Sequence, residues 1–159
     1  MKISTICKLA YLYNKIAGAK PSAGMLFVCP EDNTILLLKR SEDSSSPGTW
    51  SLPGGRADDQ DSSVLETAKR EAEEELNCLP KNKKLAGSHL IERDGKDYKV
   101  FIYFINKKEK NKWNSDIKLD KENQKYKWFH IKGLPKNQHL DLSWIKSKIK
   151  SLIKEKHTQ

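Results

Sequence analysis

Three glutamates on one predicted helix are the residues of this chain best placed to do chemistry. Glu71, Glu74 and Glu75 stand at positions i, i+3 and i+4, and side chains at those spacings lie on one face of a helix. Like charges so placed destabilise an isolated helix by a few tenths of a kcal/mol per pair, so a cation or plain solvent must relieve them. Hard divalent cations such as Mg²⁺ are usually held by one or two carboxylates together with substrate phosphates. The spacing therefore admits two interpretations, a divalent-metal site or a solvated acidic face.

The chain on either side of these glutamates carries helix-end signals and a pair of glycines. Ser63 with Glu66 three residues later forms a capping box, so the helix is predicted from Ser62 or Ser63 to about Leu76. Asn77 then suits the left-handed residue that ends it. Before the helix, the predicted turn 54–55 consists of two glycines, which let the backbone approach a metal or a phosphate closely. This loop favours the metal interpretation.

The segment from Arg70 to Glu75, REAEEE, resembles the core of the Nudix hydrolase box, G-x5-E-x7-R-E-U-x-E-E-x-G-U, where U is an apolar residue. It matches that core position by position. The front half of the box carries one extra residue, because the glycine expected at position 56 stands at Gly55. The first acidic position of the box accordingly falls on Ser62 by one count and on Asp61 by the other.

The resemblance implies a hydrolase that cleaves a nucleoside diphosphate linked to another moiety, with Mg²⁺ or Mn²⁺ as cofactor. It makes Glu74 and Glu75 metal ligands and Glu71 a ligand or the general base. Arg70 would orient these glutamates by charge-assisted hydrogen bonds. Metal ions would neutralise oxygens around the reacting phosphorus while a carboxylate takes the proton of the attacking water.

Two loops complete the implied site. A carbonyl of Gly54 or Gly55 would complete the coordination shell of the metal. The segment Leu119–Trp128 resembles the glutamate-containing loop of the family, which makes Glu122 a further candidate metal ligand or base. A lone loop glutamate is as readily an exposed surface charge.

The apolar runs predict a set of strands around this helix. Those at 24–29 and 34–39 are expected to form one hairpin, and those at 89–91 and 98–105 another, around an Asp-Gly turn. Further strands are predicted at 50–52 and 126–131, and a helix at 140–156. Residues 107–112 are predicted to form a charged solvated loop, with a phosphate-binding patch as the alternative. Strands and helices do not alternate regularly, which predicts an α+β fold with a mixed sheet.

One domain covering residues 1–159 is the expectation for a chain of this length, with residues 1–20 undecided. The resemblance extends from about Ser22 to Pro135 and implies an α/β/α sandwich. No run of 18 apolar residues is present, so a membrane span is not expected. Cys7, Cys29 and Cys78 are an odd set without metal-ligand spacing, which predicts reduced thiols and a cytoplasmic protein. The sequence leaves monomer and homodimer open.

The net charge of +9 predicts an anionic partner, either a phosphorylated small molecule or a nucleic acid, unless the lysines serve only solubility. Three hypotheses follow. The first is a pyrophosphohydrolase of small nucleotides, namely a nucleoside triphosphate, a dinucleoside polyphosphate or a nucleotide sugar. The second is an RNA 5′-end pyrophosphohydrolase or decapping-type enzyme, supported by the charge alone. The third is a non-catalytic nucleotide- or RNA-binding module of the same fold, which the intact REAEEE core disfavours.

Overall fold

The computed structural model describes Leu9, residues 20–93 and residues 95–158. The undecided segment 1–20 therefore lies almost wholly outside the described residues. The strands are β1 (Ser22–Cys29), β2 (Thr34–Arg40), β3 (Trp50–Ser51), β4 (Gly54–Arg56), β5 (Lys84–Ile91), β6 (Tyr98–Phe104) and β7 (Asn123–His130). The helices are α1 (Val64–Leu76), α2 (Lys107–Asn114) and α3 (Ile145–His157).

Strand β1 lies at the centre of one mixed sheet. It runs parallel to β6 over residues 22–28 and antiparallel to β2 and β4 at its two ends. On the outer sides, β5 pairs with β6, while β3 and β7 pair with β2, all antiparallel. The predicted mixed sheet and both predicted hairpins are confirmed.

Alternating side chains of β1 contribute to two separate hydrophobic clusters, one on each face of the sheet. Met25 and Phe27 pack with residues of α1 and α2, whereas Leu26 and Val28 pack with residues of α3. This period of two follows from the pleat of a strand. The outcome is the α/β/α sandwich that the resemblance implies.

The C-terminal helix is shorter than predicted. It begins at Ile145 rather than at Leu140, because the backbone N–H of Leu142 bonds the side-chain oxygen of Gln138 at 3.1 Å and the chain turns there. Leu140 and Leu142 are nevertheless buried against the sheet. Within the described ranges, no helix combines the length and apolar character needed to cross a bilayer.

The predicted solvated loop at 107–112 is wrong, because these residues form most of α2. The side chain of Asn106 caps the helix by accepting the N–H of Glu109 at 2.8 Å. The helix buries Glu109, Lys110 and Trp113, so its inward face is mainly polar. A pattern of apolar residues could not reveal it, although an Asn three residues before a Glu is a recognisable helix start.

Candidate active site

Helix α1 is positioned by its caps and by an apolar stripe. Ser63 accepts the N–H of Glu66 at 3.1 Å, and Asn77, with φ of 70°, donates its N–H to the Glu73 carbonyl at 2.8 Å. Both predicted caps are confirmed. The stripe consists of Ala68, Ala72 and Leu76, which pack on the sheet. The helix is thereby fixed with one glutamate-bearing flank turned toward β1 and β4.

The three glutamates occupy different environments. The side chain of Glu74 is 56% exposed and that of Glu71 18%, while Glu75 is only 5% exposed. No three His, Cys, Asp or Glu side chains of residues 20–93 and 95–158 are grouped so as to hold a metal ion. The predicted meeting of three carboxylates at one point is thus not found there. Glu71 and Glu75 lie on the inner flank, and Glu74 points to Arg70.

Burial raises the pKa values of the two carboxylates on the inner flank, Glu71 and Glu75. Burial, followed by the negative charges of Asp120, Glu71 and Glu122, raises the pKa of Glu75 to about 9. Burial also raises the pKa of Glu71, although the Arg70 guanidinium opposes that shift. A carboxylate buried among other carboxylates is ionised at a cost, which an added cation would remove.

Arg70 links the loop before α1 to the glutamates. Its Nε and Nη2 donate to the two carboxylate oxygens of Asp61 at 2.9 and 3.0 Å, and its Nη1 donates to Glu74 at 3.0 Å. Glu71 lies 3.2 Å from the same Nη1, and the carbonyl of Arg56 accepts from Nη2 at 3.0 Å. Asp61 is 4% exposed, and the Arg70 hydrogen bonds hold its pKa at about 2. Of the two candidates for the first acidic position of the box, Asp61 is the one paired with the arginine.

The two glycines form strand β4 rather than the predicted turn. Gly54 pairs with Gly24 and Gly55 with Ala23 in the antiparallel ladder to β1. A Cβ on Gly55 would lie 2.6 Å from the carboxylate of Glu71, so a larger residue would displace that glutamate. The backbone N–H of Gly54 bonds Glu75 and partly offsets the rise in its pKa. The glycines therefore allow both carboxylates to lie directly against the strand.

The loop before β7 brings two more carboxylates near α1. Glu122 is exposed, and its carbonyl accepts the N–H of Ser41 at 2.8 Å. Sequence reasoning missed Asp120, whose N–H donates to the Glu75 carbonyl at 3.2 Å and whose carboxylate accepts from Asn123 at 3.0 Å. Both charges act on Glu75. Only the tertiary position of the loop distinguishes Asp120 from other surface acids.

Comparison with known proteins agrees with this geometry. The family model of the NUDIX domain matches residues 18–150. An uncharacterized Nudix hydrolase, NudL of Yersinia enterocolitica, is 52% identical over 50 residues, which are 31% of this chain and 26% of that protein. The chain thus spans about a quarter of the length of this curated relative.

Two solved structures show the same fold. The MutT protein of Methanosarcina mazei Go1 has a TM-score of 0.55 and 24% identity, over 86% of this chain and 94% of that one. The Ap4A hydrolase of C. elegans has a TM-score of 0.53 and 21% identity, over 87% and 96%. The matched domain includes β4, the Asp61–Arg70 pair and the glutamates of α1. As its REAEEE segment predicts, this chain belongs to the Nudix family.

Proposed function

We propose that this protein is a metal-dependent pyrophosphohydrolase that cleaves a nucleoside diphosphate linked to another moiety. The observation that carries the proposal is the environment of Glu75, a carboxylate 5% exposed and adjoined by Glu71 and the loop acids. A solvated acidic face would leave this glutamate in water. Buried carboxylates with perturbed pKa values are characteristic of sites that bind or react.

The available donors fit Mg²⁺ or Mn²⁺. Carboxylate and backbone carbonyl oxygens are the ligands that these hard cations prefer. We assign the metal to Glu71 and Glu75 on the inner flank, with the carbonyl of Gly55 and with Glu74, whose carboxylate would turn from Arg70 toward the cation when it binds. When bound, the cation supplies positive charge at the phosphoryl oxygens and lowers the pKa of coordinated water.

We assign two further roles, the positioning of the carboxylates and the acceptance of a proton from water, to residues of the chain. Arg70, held by Asp61, orients the carboxylates of Glu74 and Glu71 through the 3.0 and 3.2 Å contacts. Glu122 is the base that we assign to the attacking water, since its carboxylate is exposed beside the inner flank of α1. The lack of a side chain at Gly55 leaves room for the Glu71 carboxylate against β4.

The metal assignment is tested by thermal unfolding in Mg²⁺ or Mn²⁺ and in chelator. A ligand that binds only the folded protein at a hundredfold excess over its Kd stabilises it by about 2.7 kcal/mol. Wild type should melt higher with metal, and Glu74→Gln and Glu75→Gln should each lose most of that increment. Glu73→Gln is the matched control, because Glu73 is exposed and lies about 100° around the helix from Glu74. Equal metal-induced shifts in all four proteins would contradict the assignment.

The substrate class is tested with nucleoside triphosphates, dinucleoside polyphosphates and nucleotide sugars, measuring release of phosphate or monophosphate. The fold shared with an Ap4A hydrolase places dinucleoside polyphosphates in this panel. RNA with a 5′-triphosphate serves as the competing substrate. If RNA alone is cleaved, with steep salt dependence from counterion release, the small-nucleotide proposal is wrong.

A further inference from the structure

The turn between β5 and β6 holds an arginine above a buried tyrosine. The N–H of Arg93 donates to the carboxylate of Asp97 at 3.0 Å, and its Nε donates to the Lys96 carbonyl at 3.1 Å. These two bonds fix the turn around the arginine. Its guanidinium carbon lies 5.9 Å from the centre of the Tyr98 ring.

Tyr98 connects this arginine to the candidate active site. It is 5% exposed, and its hydroxyl lies so close to Gly24 and Gly54 that a Cβ on either glycine would collide with it. Burial, followed by the negative charges of Glu75 and Glu71, raises its pKa. Tyr98 therefore lies next to Arg93 with its ring and next to the glycines of β1 and β4 with its hydroxyl.

A second arginine approaches from the end of β2. Arg40 donates from Nε to the Ser45 carbonyl at 2.6 Å and from Nη2 to the Ser45 hydroxyl at 2.9 Å. Its backbone carbonyl accepts the N–H of Gly48 at 2.9 Å. Its Nη1 bonds no side chain or carbonyl in the described part of the chain. The loop 41–48 thus orients the guanidinium and leaves one nitrogen to donate elsewhere.

The N–H of Ser41, the residue after Arg40, donates to the Glu122 carbonyl at 2.8 Å, so Arg40 lies at the edge of the candidate active site. His139 is a residue on which the charges of both arginines act. Its N–H donates to the Trp50 carbonyl at 2.9 Å, and Trp50 pairs with Lys39, the residue before Arg40, in the β2–β3 ladder. Burial, then the charge of Arg40, then that of Arg93, lowers the pKa of His139. The same two guanidinium groups act on Tyr98. Segments far apart in the sequence therefore bring two permanent positive charges to the Tyr98 side of the candidate active site.

We propose that Arg40 and Arg93 form a subsite that binds a phosphate of the substrate on the Tyr98 side of the candidate active site. This proposal rests on the proposed function. Guanidinium groups stay charged and bind phosphate oxygens through paired N–H donors. Within residues 20–93 and 95–158, no ion pair joins either arginine to a carboxylate, so in that part of the chain both charges are available to an anion. A diphosphate bridging the two regions would meet the guanidinium groups at one phosphate and, at the other, the cation that we assign to the carboxylates.

The test measures binding of inorganic pyrophosphate by thermal shift in excess chelator and at low salt. Wild type should be stabilised, and Arg40→Gln and Arg93→Gln should each weaken the affinity by about tenfold or more, the equivalent of about 1.4 kcal/mol. Lys150→Gln on α3, an exposed position, removes the same charge and should bind as wild type. The subsite is wrong if wild type shows no shift, or if both arginine variants bind as it does.

A second measurement covers the case in which an arginine variant is less stable. On a substrate that wild type hydrolyses, each variant should raise KM several-fold more than it lowers kcat, since the lost contact exists before and during the reaction. An unchanged KM would contradict the subsite. Because the pyrophosphate experiment requires neither metal nor turnover, its failure with an active enzyme rejects the subsite alone. Binding by a protein that hydrolyses nothing rejects the proposed function alone.

Discussion

Helices α1 and α2 both bury charged side chains, but they do so in opposite ways. In α2, the carboxylate of Glu109 accepts the N–H of Lys81 at 2.7 Å, and Lys110 donates to Asp32 at 2.7 Å. Burial by itself raises the pKa of Glu109, but hydrogen bonds from neighbouring N–H groups outweigh it and lower that pKa. In α1, Glu75 is buried with carboxylates as its neighbours, and its pKa is raised to about 9.

The paired charges of α2 stabilise the fold, whereas the carboxylates of α1 are suited to bind a ligand. A buried ion with well-placed partners is satisfied within the protein, and removing one partner costs stability. A buried carboxylate that faces other carboxylates lowers the stability of the metal-free protein, and a bound cation removes that cost. Mutations in the two helices should therefore affect different measurable quantities.

The largest effect is expected from Glu75→Gln. Turnover should fall by more than about 100-fold. Mutating a residue that only hydrogen-bonds a metal ligand typically lowers metal affinity or activity 10- to 100-fold, and Glu75 is assigned as a ligand itself. In chelator at neutral pH, the melting temperature should equal or exceed that of wild type. Folding of wild type must protonate Glu75, whose pKa is about 9, whereas Gln requires no proton. Initial rates and thermal melts of the same preparations measure both. A large loss of metal-free stability would make Glu75 a structural residue like Glu109.

Glu122→Gln tests the loop side of the same region. Turnover should fall by roughly 10²-fold or more, the scale of a general base, with an unchanged melting temperature, because Glu122 is exposed. Lys121→Gln, also exposed and adjacent, is the control. Turnover equal to that of wild type would make Glu122 an ordinary surface charge.

Lys110→Met is the corresponding test in α2. It removes the bonds to Asp32 and Thr34 and the contact with the Trp128 ring at 4.7 Å. The free energy of unfolding should fall by about 2–3 kcal/mol, less than for a fully buried pair because Asp32 is 25% exposed. Urea unfolding measures the loss, with exposed Lys108→Met as control. Turnover per folded molecule should not change, and a specific loss of activity would end the distinction between the two helices.

The smallest effect concerns the pH dependence of the Asp61–Arg70 pair. The folded-state pKa of Asp61, about 2, lies below its ordinary value of 3.8, so its stabilisation is present above about pH 4 and is lost as the pH falls toward 2. The shift corresponds to about 2 kcal/mol. Asp61→Asn should lower the free energy of unfolding at neutral pH and flatten its dependence on pH in that acid range. Equal acid slopes in urea unfolding of the two proteins would show that the pair contributes no pH-dependent stability.

The bounds of helix α1 and the family of the chain could be predicted from the sequence, because the signals for both are local. Caps such as Ser63 and Asn77 act within a few residues of the helix end. The spacing of Arg70 and the glutamates is likewise fixed by helix geometry. Continuous apolar runs similarly predict the central strands, since β1 and β2 are covered on both faces of the sheet and bury most of their residues.

The environment of each charge was decided by tertiary structure alone. Spacing along α1 cannot show that Glu75 is buried while Glu74 is exposed, because that depends on which flank packs against β4. It cannot distinguish Asp61 from Ser62 as the partner of Arg70, since the loop path sets the distance. Helix α2 escaped prediction for the same reason, as its inward face is polar and is satisfied by distant segments. Burial and pairing of charges are long-range properties, and a linear pattern records only which charges are present.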